Sequence, residues 1–474
     1  MDLSKIQNIF IVGIKGVAMA DLAVIFSKMG KRISGADVKD TQITDELLKK
    51  HRITPIVGFE KEKLPADTEL IIYSAAHGGT ENPLVKYAVE KKIVVMHQAE
   101  LLGKLLELFK TSIAVCGTHG KTTTSALLSY ALINLGVSPS YLVGAPSFSG
   151  CEGGDYNKQD YFVIEADEYA VNPPDDKTVK FSFLNPGLIL ATNIDFDHPD
   201  VFSSLDEIKK QFSAFLKDRQ VFACADDVNL MSVVTRTHTK TPTTYGFDTD
   251  ADLRIGALTE TQDNTAFELF EKNKSLGIFD IKLFGRKNIS NAAGVVAVLL
   301  NLGFKSEQIK EAIKKFSGVK RRFEEKFHIN DTYLFDDYAH HPAEIEVIIE
   351  AARTRFPGHK IVILFQPHTF SRTKALLPDF ARSLSQADLA IVAPIFSSAR
   401  EKKEESTITS ADIEKSAKEA GFESVHAASS NEEVLSKLGA LLTAKQVIFT
   451  MGAGDIYSLD SDIIELLKKA VPTG

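Results

Sequence analysis

Short apolar runs alternate with amphipathic stretches along the first 110 residues of the chain. Apolar runs of about four to eight residues are typical of buried strands, whereas apolar positions three and four residues apart predict helices. The predicted strands are residues 8–12, 32–36, 70–74 and 93–96. The predicted helices between them are residues 19–29, 43–51 and 83–91. This alternation predicts βαβ units built on a parallel sheet.

Two changes in composition divide the rest of the chain. The first lies at residues 110–112, and the second lies in the basic, glycine-containing segment 317–322. Since 474 residues are too many for one core, we expect three α/β domains, covering residues 1–110, 111–318 and 319–474. Further predicted strands are residues 161–164, 187–192, 221–223, 332–335, 360–365, 389–393 and 446–450.

The most informative segment is the turn that follows the apolar run ending at Cys116. The turn and the start of the next helical pattern contain Gly117, Thr118, His119, Gly120, Lys121, Thr122 and Thr123. Glycines let backbone N–H groups face phosphate oxygens, and a helix start adds its positive dipole end. Lys121 would reach the β- and γ-phosphates, and Thr122 would complete a Mg²⁺ shell. Val115 replaces the first glycine of the usual pattern, so an ordinary turn is the alternative, but the context favours ATP or GTP binding.

Acidic residues and a histidine follow two other predicted strands. Glu165 and Glu168 come after one strand, and Asp195, Asp197 and His198 come after the next. Carboxylates at the carboxyl edge of a parallel sheet, beside a phosphate loop, can hold Mg²⁺ directly or through water. For residues 165–168 a solvated acidic turn is the alternative, and the neighbouring phosphate loop favours the metal site. Residues 195–198 are expected to hold a second Mg²⁺ or a phosphate, and an ordinary surface or core histidine is the alternative there.

A second nucleotide site is indicated near the N-terminus. Gly13 and Gly16 follow the first predicted strand, and Asp37 closes the second. This arrangement can hold a nucleotide diphosphate and its ribose. Lys15 takes the place of the second glycine of the dinucleotide fingerprint, so the motif alone is a weak indication of NAD(P).

The last third of the chain carries polar residues at two more strand ends. Residues 336–341 contain two aspartates and two histidines, and residues 365–372 contain His368 and Arg372. Together they predict a substrate pocket at the edge of a third sheet. The basic segment 320–322 is either a solvated charge run or the source of an arginine that reaches a nucleotide.

Composition and charge argue against several classes of protein. A net charge of −8 without large charged blocks argues against nucleic acid as the main partner. We find neither a signal peptide nor an apolar stretch of the roughly 18–20 residues that spans a bilayer, so we expect no membrane partner. Three scattered cysteines predict neither a disulfide framework nor a zinc site. The expected location is the cytoplasm, with reduced thiols.

Taken in order, these motifs resemble those of the Mur ligase family. The resemblance covers nearly the whole chain and rests on residues 13–16, 34–37, 117–123, 165–169, 193–200, 285–288, 318–323, 336–342, 365–373, 398–400 and 452–455. It implies a Rossmann-like N-terminal domain for a UDP-sugar, a central P-loop-type ATPase domain with a parallel sheet, and a Rossmann-like C-terminal domain for an amino acid. It leaves open whether the chain is a monomer or a homodimer.

The resemblance also implies the reaction. The lactyl carboxylate of UDP-N-acetylmuramate attacks the γ-phosphate of ATP, and the amine of L-alanine then attacks the acyl phosphate. Lys121 would neutralise phosphate charge, with Mg²⁺ held by Thr122, Glu165 and His198. The other implied contacts are Asn288, Arg322 and Asp337 for ATP, Gly13, Gly16, Asp37 and Ser74 for the UDP-sugar, and His368 and Arg372 for the amino acid or the muramyl carboxylate.

Two alternatives stay open. Residues 172–183 lengthen the segment after Glu168, as in the related ligase that recycles L-Ala-γ-D-Glu-meso-diaminopimelate, although the pattern of residues 365–368 favours L-alanine. A nucleotide-binding protein that has lost turnover is the remote alternative. Gln98 stands where the alanine ligases usually carry arginine, and none of Lys209, Lys210 or Lys217 can be assigned as the carbamylated lysine that some family members use.

Overall fold

The computed structural model describes residues 2–158, 160–173, 175–237, 241–397 and 407–470. The chain forms two compact units. The first unit consists of Met1–Thr259, Ala266–Lys282 and Asn288–Ser317. The second unit consists of Glu260–Thr265, Leu283–Lys287 and Gly318–Gly474. The domain boundaries expected at residues 110 and 318 stay predictions.

The first sheet has five strands in the order β3-β2-β1-β4-β5, and all its pairs are parallel. Its elements are β1 (Asn8–Val12), α1 (Val17–Lys28), β2 (Arg32–Asp37), α2 (Asp45–Lys50), β3 (Ile56–Val57), β4 (Leu70–Tyr73), α3 (Pro83–Glu90), β5 (Val94–His97) and α4 (Gln98–Leu106). The strand order reverses between β1 and β4, because β2 lies on one side of β1 and β4 on the other.

The second sheet has ten strands in the order β17-β16-β15-β14-β13-β12-β6-β9-β7-β8. Its strands and helices are β6 (Thr111–Cys116), α5 (Lys121–Asn134), β7 (Ser140–Phe148), β8 (Cys151–Asp155), β9 (Tyr161–Glu165), β12 (Leu188–Ala191), α6 (Leu205–Leu216), β13 (Gln220–Cys224), α7 (Val228–Thr237), β14 (Thr243–Gly246), β15 (Leu253–Glu260), β16 (Thr265–Glu271), β17 (Lys274–Ile281), α8 (Arg286–Asn301) and α9 (Ser306–Ile313). A separate antiparallel hairpin follows β9 and consists of β10 (Ala170–Asn172) and β11 (Asp176–Val179).

The third sheet has six strands in the order β18-β19-β23-β20-β21-β22. Its elements are β18 (Glu324–Ile329), β19 (Thr332–Asp337), α10 (Pro342–Arg355), β20 (Lys360–Phe365), α11 (Phe370–Ala375), α12 (Leu377–Leu384), β21 (Leu389–Val392), α13 (Ser410–Glu419), β22 (Val425–Ala427), α14 (Asn431–Leu441), β23 (Gln446–Met451) and α15 (Asp460–Ala470). All pairs are parallel except β18 with β19.

The core of the third sheet lies on both of its faces. In the third sheet, Phe335, Ile363 and Phe449 pack into one apolar cluster, whereas their neighbours Leu334 and Leu364 pack into another. Because successive side chains of a strand point to opposite faces, this alternation means that helices cover both sides of the sheet. Strands of this kind read as continuous apolar runs, which is why the sequence predicts them well. Among the described residues, no helix combines the length and apolar character needed to cross a bilayer.

Asp21 is an unusual charge in this core. It lies on α1 with 0% exposure, and among the described residues neither carboxylate oxygen has a hydrogen-bond partner. Gly153 and Gly154 of β8 cover it, and a Cβ at Gly154 would lie 2.8 Å from the Cβ of Asp21. Burial raises the pKa of Asp21 well above its ordinary value, and the charge of Glu152 contributes to the same rise.

We therefore expect Asp21→Asn to stabilise the protein increasingly as the pH rises. The folded-state pKa of Asp21 is raised, so its stabilising contribution is complete below the unfolded-state pKa near 4 and is lost as the pH rises. The gain at pH 8 should be about 1–3 kcal/mol. Urea unfolding at pH 4.5 and pH 8 measures it, with exposed Asp206→Asn as the control. A gain that is equal at both pH values would contradict this explanation.

Candidate active site

The glycine turn between β6 and α5 has a backbone that requires glycine. Gly117 and Gly120 have φ values of 139° and 83°. A Cβ at Gly117 would lie 2.1 Å from the Thr192 hydroxyl oxygen, and a Cβ at Gly120 would lie 2.5 Å from the amide nitrogen of Asn291. Gly120 is the N-cap of α5 and offers no side-chain cap. The first N–H groups of α5 therefore remain available to an anion by helix geometry.

The segment after β12 supports this turn from behind. The N–H groups of Thr118 and His119 donate to the carbonyl oxygen and the side-chain oxygen of Asn193, at 3.1 and 2.8 Å. The Asn193 amide donates back to the His119 carbonyl at 2.9 Å. These two N–H groups thus hold the turn in place, so the N–H groups that face a phosphate belong to the start of α5. Asn193 was not among the predicted site residues, because its role depends on a contact between distant segments.

The side chain of Lys121 is mostly enclosed by the turn. Its side chain is 12% exposed, and Nζ lies 2.7 Å from the Gly117 carbonyl oxygen and 2.7 Å from Oε2 of Glu168. Burial by itself would lower the pKa of Lys121, but the charges of Glu168, Glu165 and Asp167 outweigh it and raise the pKa. The ammonium group is therefore charged and fixed inside the turn.

Glu168 connects the predicted residues Lys121 and His198. Nε2 of His198 lies 3.6 Å from Oε1 of Glu168 and 3.7 Å from Oδ2 of Asp197. The His198 backbone is left-handed, with φ of 56°, and its ring packs edge-on against Tyr169. Glu168 stands in the same acidic motif as Glu165, which is the predicted metal ligand. The structure brings Glu168 to both the lysine and the histidine.

Glu165 and Thr122 offer further oxygen atoms beside the turn. Glu165 ends β9, and a Cβ at Gly144 of the adjacent strand would lie 2.9 Å from Oε2 of Glu165. Glycine at this position therefore leaves room at the carboxylate. Thr122 lies in the first turn of α5 and is 7% exposed. The carboxylate and hydroxyl oxygens of this set are the ligands that Mg²⁺ prefers.

Besides the pair of Lys121 with Glu168, a second ion pair fixes the acidic turn at residues 165–168. Nζ of Lys180 lies 2.7 Å from Oδ2 of Asp167. Burial would raise the pKa of Asp167, but Lys180 and Lys121 hold it below its ordinary range. The Tyr169 hydroxyl donates to Asp200 at 2.5 Å. The turn that carries Glu168 is therefore held on both sides.

In the first sheet, the predicted residues lie at the ends of β1, β2 and β4 or in the turns that follow them. Gly13, with φ of 75°, begins the turn after β1, and Gly16 is the N-cap of α1. Oδ2 of Asp37 accepts the Lys15 N–H at 2.7 Å. Ser74 follows β4, and its hydroxyl accepts the Ala76 N–H at 3.3 Å. Asp37 therefore organises the glycine turn directly.

In the second unit, Asp337 organises the turn after β19. Its carboxylate accepts N–H groups of Phe323 and Ala339, both at 2.7 Å. Burial raises the pKa of Asp337 to about 6, although Arg322 opposes this rise. The guanidinium of Arg322 lies 4.9 Å from the centre of the Tyr338 ring. The predicted nucleotide contacts of Asp337 and Arg322 stay predictions.

Arg321, which precedes the predicted nucleotide contact Arg322, anchors this unit through buried contacts. It is 6% exposed, and its Nε lies 3.1 Å from Oδ2 of Asp336. Its Nη2 donates to the Gly452 carbonyl at 2.7 Å, and its guanidinium lies 4.3 Å from the centre of the Tyr457 ring. In a run of three basic residues, only the fold shows which one is buried.

His368 and Arg372 lie in the loop and short helix after β20. The His368 ring stacks on Phe396 at 5.6 Å, and Thr369 has φ of 71°. Arg372 is 6% exposed within α11. The structure therefore places both residues in the segment that follows the carboxyl end of β20. Asn288 lies in α8, and the motif at residues 398–400 lies outside the described residues.

Three family models match the chain in succession. The Mur ligase family, catalytic domain model matches residues 8–110, the Mur ligase middle domain model matches residues 115–299, and the Mur ligase, glutamate ligase domain model matches residues 321–454. A curated relative from Streptococcus equi subsp. zooepidemicus, a UDP-N-acetylmuramate–L-alanine ligase, is 36% identical over 96% of this chain and 97% of its own length.

Solved structures agree with this assignment. The UDP-N-acetylmuramate-alanine ligase of Thermotoga maritima has a TM-score of 0.78 and 23% identity, covering 98% of this chain and 100% of the other. The murein peptide ligase of Psychrobacter arcticus has a TM-score of 0.74 and 21% identity, with the same coverage. These likenesses confirm the predicted α/β fold with three domains. With a relative more than a third identical over nearly its full length, the chain belongs to the Mur ligase family.

Proposed function

We propose that this protein is the ATP-dependent ligase that joins L-alanine to the lactyl carboxylate of UDP-N-acetylmuramate. The observation that carries the proposal is the charged ammonium of Lys121, enclosed in a glycine turn at the start of α5. The curated relative that matches over almost the whole chain is named for this reaction. Formation of an amide from a carboxylate needs activation by a phosphoryl donor, and this turn is built to hold one.

The chain's own residues account for the first step. A carboxylate oxygen of the sugar nucleotide attacks the γ-phosphorus, the bond to the bridging oxygen breaks, and ADP leaves. Two anions must approach each other, so Lys121 and the N–H groups of α5 offset the repulsion. Glu168 keeps the Lys121 ammonium charged and directed into the turn.

We assign Mg²⁺ to Thr122, Glu165 and His198, of which the first two supply the oxygen ligands that this ion prefers. When bound, Mg²⁺ would neutralise charge on the phosphoryl oxygens. His198 is held in its left-handed backbone and against Tyr169, so its imidazole is oriented in advance. Thr122 is oriented by the first turn of α5.

In the second step, the amine of L-alanine attacks the acyl carbon, and inorganic phosphate leaves as the amide forms. The amine must be neutral, and the carboxylate of alanine needs a fixed cation. We propose that Arg372 supplies it, since a guanidinium can bind a carboxylate through two parallel hydrogen bonds. His368 would lie beside the same substrate.

We expect Arg372→Lys to raise the KM for L-alanine by about tenfold while the KM for ATP changes little. An ammonium cannot reproduce the two hydrogen bonds of the guanidinium. Steady-state phosphate release with each substrate varied in turn provides the measurement, and Arg382→Lys on the exposed face of α12 is the matched control. Equal increases in both KM values would mean that Arg372 serves the fold rather than the amino acid.

The proposal is tested by incubating the protein with ATP, UDP-N-acetylmuramate and L-alanine and following phosphate release. Omission of any one substrate should abolish release. A parallel reaction with L-Ala-γ-D-Glu-meso-diaminopimelate in place of L-alanine tests the recycling alternative. Efficient ligation of the tripeptide with L-alanine inert would overturn the proposal, and nucleotide binding without turnover would indicate a non-catalytic protein.

A further inference from the structure

A strained segment lies at the reversal of strand order in the first sheet. His77, Gly78 and Gly79 follow β4 and have φ values of 56°, 89° and 54°. Three successive left-handed residues are rare, and a left-handed residue other than glycine carries a conformational cost. Such strain persists only where the surrounding structure enforces it, and it concentrates at binding sites.

The neighbouring residues hold this segment at both ends. The side-chain amide of Asn82 donates to the His77 carbonyl at 2.9 Å, and the Asn82 N–H donates to the Gly79 carbonyl at 3.3 Å. At the far end, a Cβ at Gly79 would lie 2.7 Å from Oδ1 of Asn172, at the end of β10. The segment is therefore fixed between α3 and the β10–β11 hairpin.

The consequence of this conformation is the position of the His77 ring. Nε2 lies 3.3 Å from Oδ1 of Asp37, and Cδ2 lies 3.1 Å from the place that a Cβ at Gly13 would occupy. The ring also packs against Phe59, with ring centres 4.8 Å apart. One imidazole thus contacts the residue that binds the Lys15 N–H and the glycine that begins the same turn.

We propose that His77 is a positioning residue of the sugar-nucleotide site. It holds Asp37 and the turn at Gly13 in the arrangement that receives the nucleoside diphosphate of the substrate. This inference rests on the proposed function, and it adds to it a residue that none of the motifs identifies. Open α/β sheets bind ligands at the reversal of strand order, where the loops after β1 and β4 lie.

The contacts of His77 predict which substrate should bind more weakly when its ring is removed. Without the imidazole, Asp37 loses a donor on Oδ1, and the turn loses the ring that packs against Gly13. Binding of the uridine nucleotide should weaken. ATP should bind as before, because the turn that carries Lys121 belongs to a different sheet.

The test uses His77→Asn in the full-length protein, because asparagine tolerates a left-handed backbone better than most residues. The matched control is His51→Asn, which removes another histidine–carboxylate pair of the same unit, between His51 and Glu152 at 2.9 Å. Calorimetric titration with UDP gives the affinity without turnover. Steady-state kinetics give the KM for UDP-N-acetylmuramate, ATP and L-alanine.

We expect His77→Asn to weaken UDP binding and to raise the KM for UDP-N-acetylmuramate by about tenfold, the effect of losing one hydrogen bond to a charged group. The other two KM values and kcat should change little, and His51→Asn should leave UDP binding unchanged. Asp37→Asn should weaken binding similarly, and the double variant should cost less than the product of the two effects.

The outcomes separate this inference from the proposed function. Turnover with L-alanine together with unchanged UDP affinity in His77→Asn would overturn the inference alone. If His77→Asn weakens UDP binding but the wild-type protein shows no turnover, only the proposed function is overturned. Equal increases in all three KM values, or wild-type protein that does not bind UDP, would overturn the positioning role.

Discussion

Lys121→Ala is expected to lower turnover at saturating ATP by roughly 10²- to 10³-fold or more, the usual effect of removing one preorganised charge from a transferring phosphoryl group. The Lys121 ammonium lies at the turn that begins α5 and is held there by the Gly117 carbonyl and Glu168. Phosphate release with all three substrates measures the effect. More than a tenth of the wild-type rate would refute the role of this turn.

The same variant should also lose some stability, since Glu168 then stays buried without its lysine partner. Burial of an uncompensated charge typically costs a few kcal/mol. Lys180→Ala is the matched control, because it breaks the neighbouring ion pair with Asp167. It should destabilise the protein comparably and retain far more activity. A variant with both Lys121→Ala and Glu168→Gln should recover stability without recovering turnover.

Glu165→Gln and His198→Asn should each lower turnover by roughly 10²-fold and raise the Mg²⁺ concentration needed for half-maximal activity. The double variant should cost far less than the product of the single effects, because residues that hold one ion act as a unit. Mg²⁺ titrations of the three variants supply the comparison.

A second double-mutant cycle tests the contact between Glu168 and His198. Glu168 contacts His198 directly, so Glu168→Gln with His198→Asn should be coupled as well. Asp206→Asn, exposed on α6, should leave the Mg²⁺ requirement unchanged. If the effects of Glu165→Gln and His198→Asn are simply additive, the two residues belong to separate sites. The metal would then be assigned to Glu168 and His198.

Local patterns in the sequence predict the parts of the site that are formed locally. The phosphate turn, the glycine turn at Gly13 and most strands of the three sheets follow from short spacings and continuous apolar runs. The predicted strand at residues 360–365 has the same bounds as β20. The sequence does not predict the strands β3, β7, β8, β10, β11, β14–β18 and β22, since their apolar runs are short or interrupted by polar residues.

Other residues could not be assigned from the sequence because their roles depend on distant contacts. Glu168 and Glu165 stand in one motif, and only folding shows that Glu168 meets His198. Arg321 and Arg322 are adjacent, and only the partners Asp336 and Gly452 distinguish the buried one. His77 lies in no recognised pattern, and its contact with Asp37 joins the ends of two separate strands.

The position of β23 has a consequence for the synthesis of the protein. This strand follows all the others in the chain, yet it lies between β19 and β20 in the middle of its sheet. Until residues 446–451 have been made, β19 and β20 cannot join, and each presents an unpaired edge that invites wrong pairing. The second unit must therefore complete its folding late in translation, and a truncation before Gln446 should aggregate rather than yield a smaller folded unit.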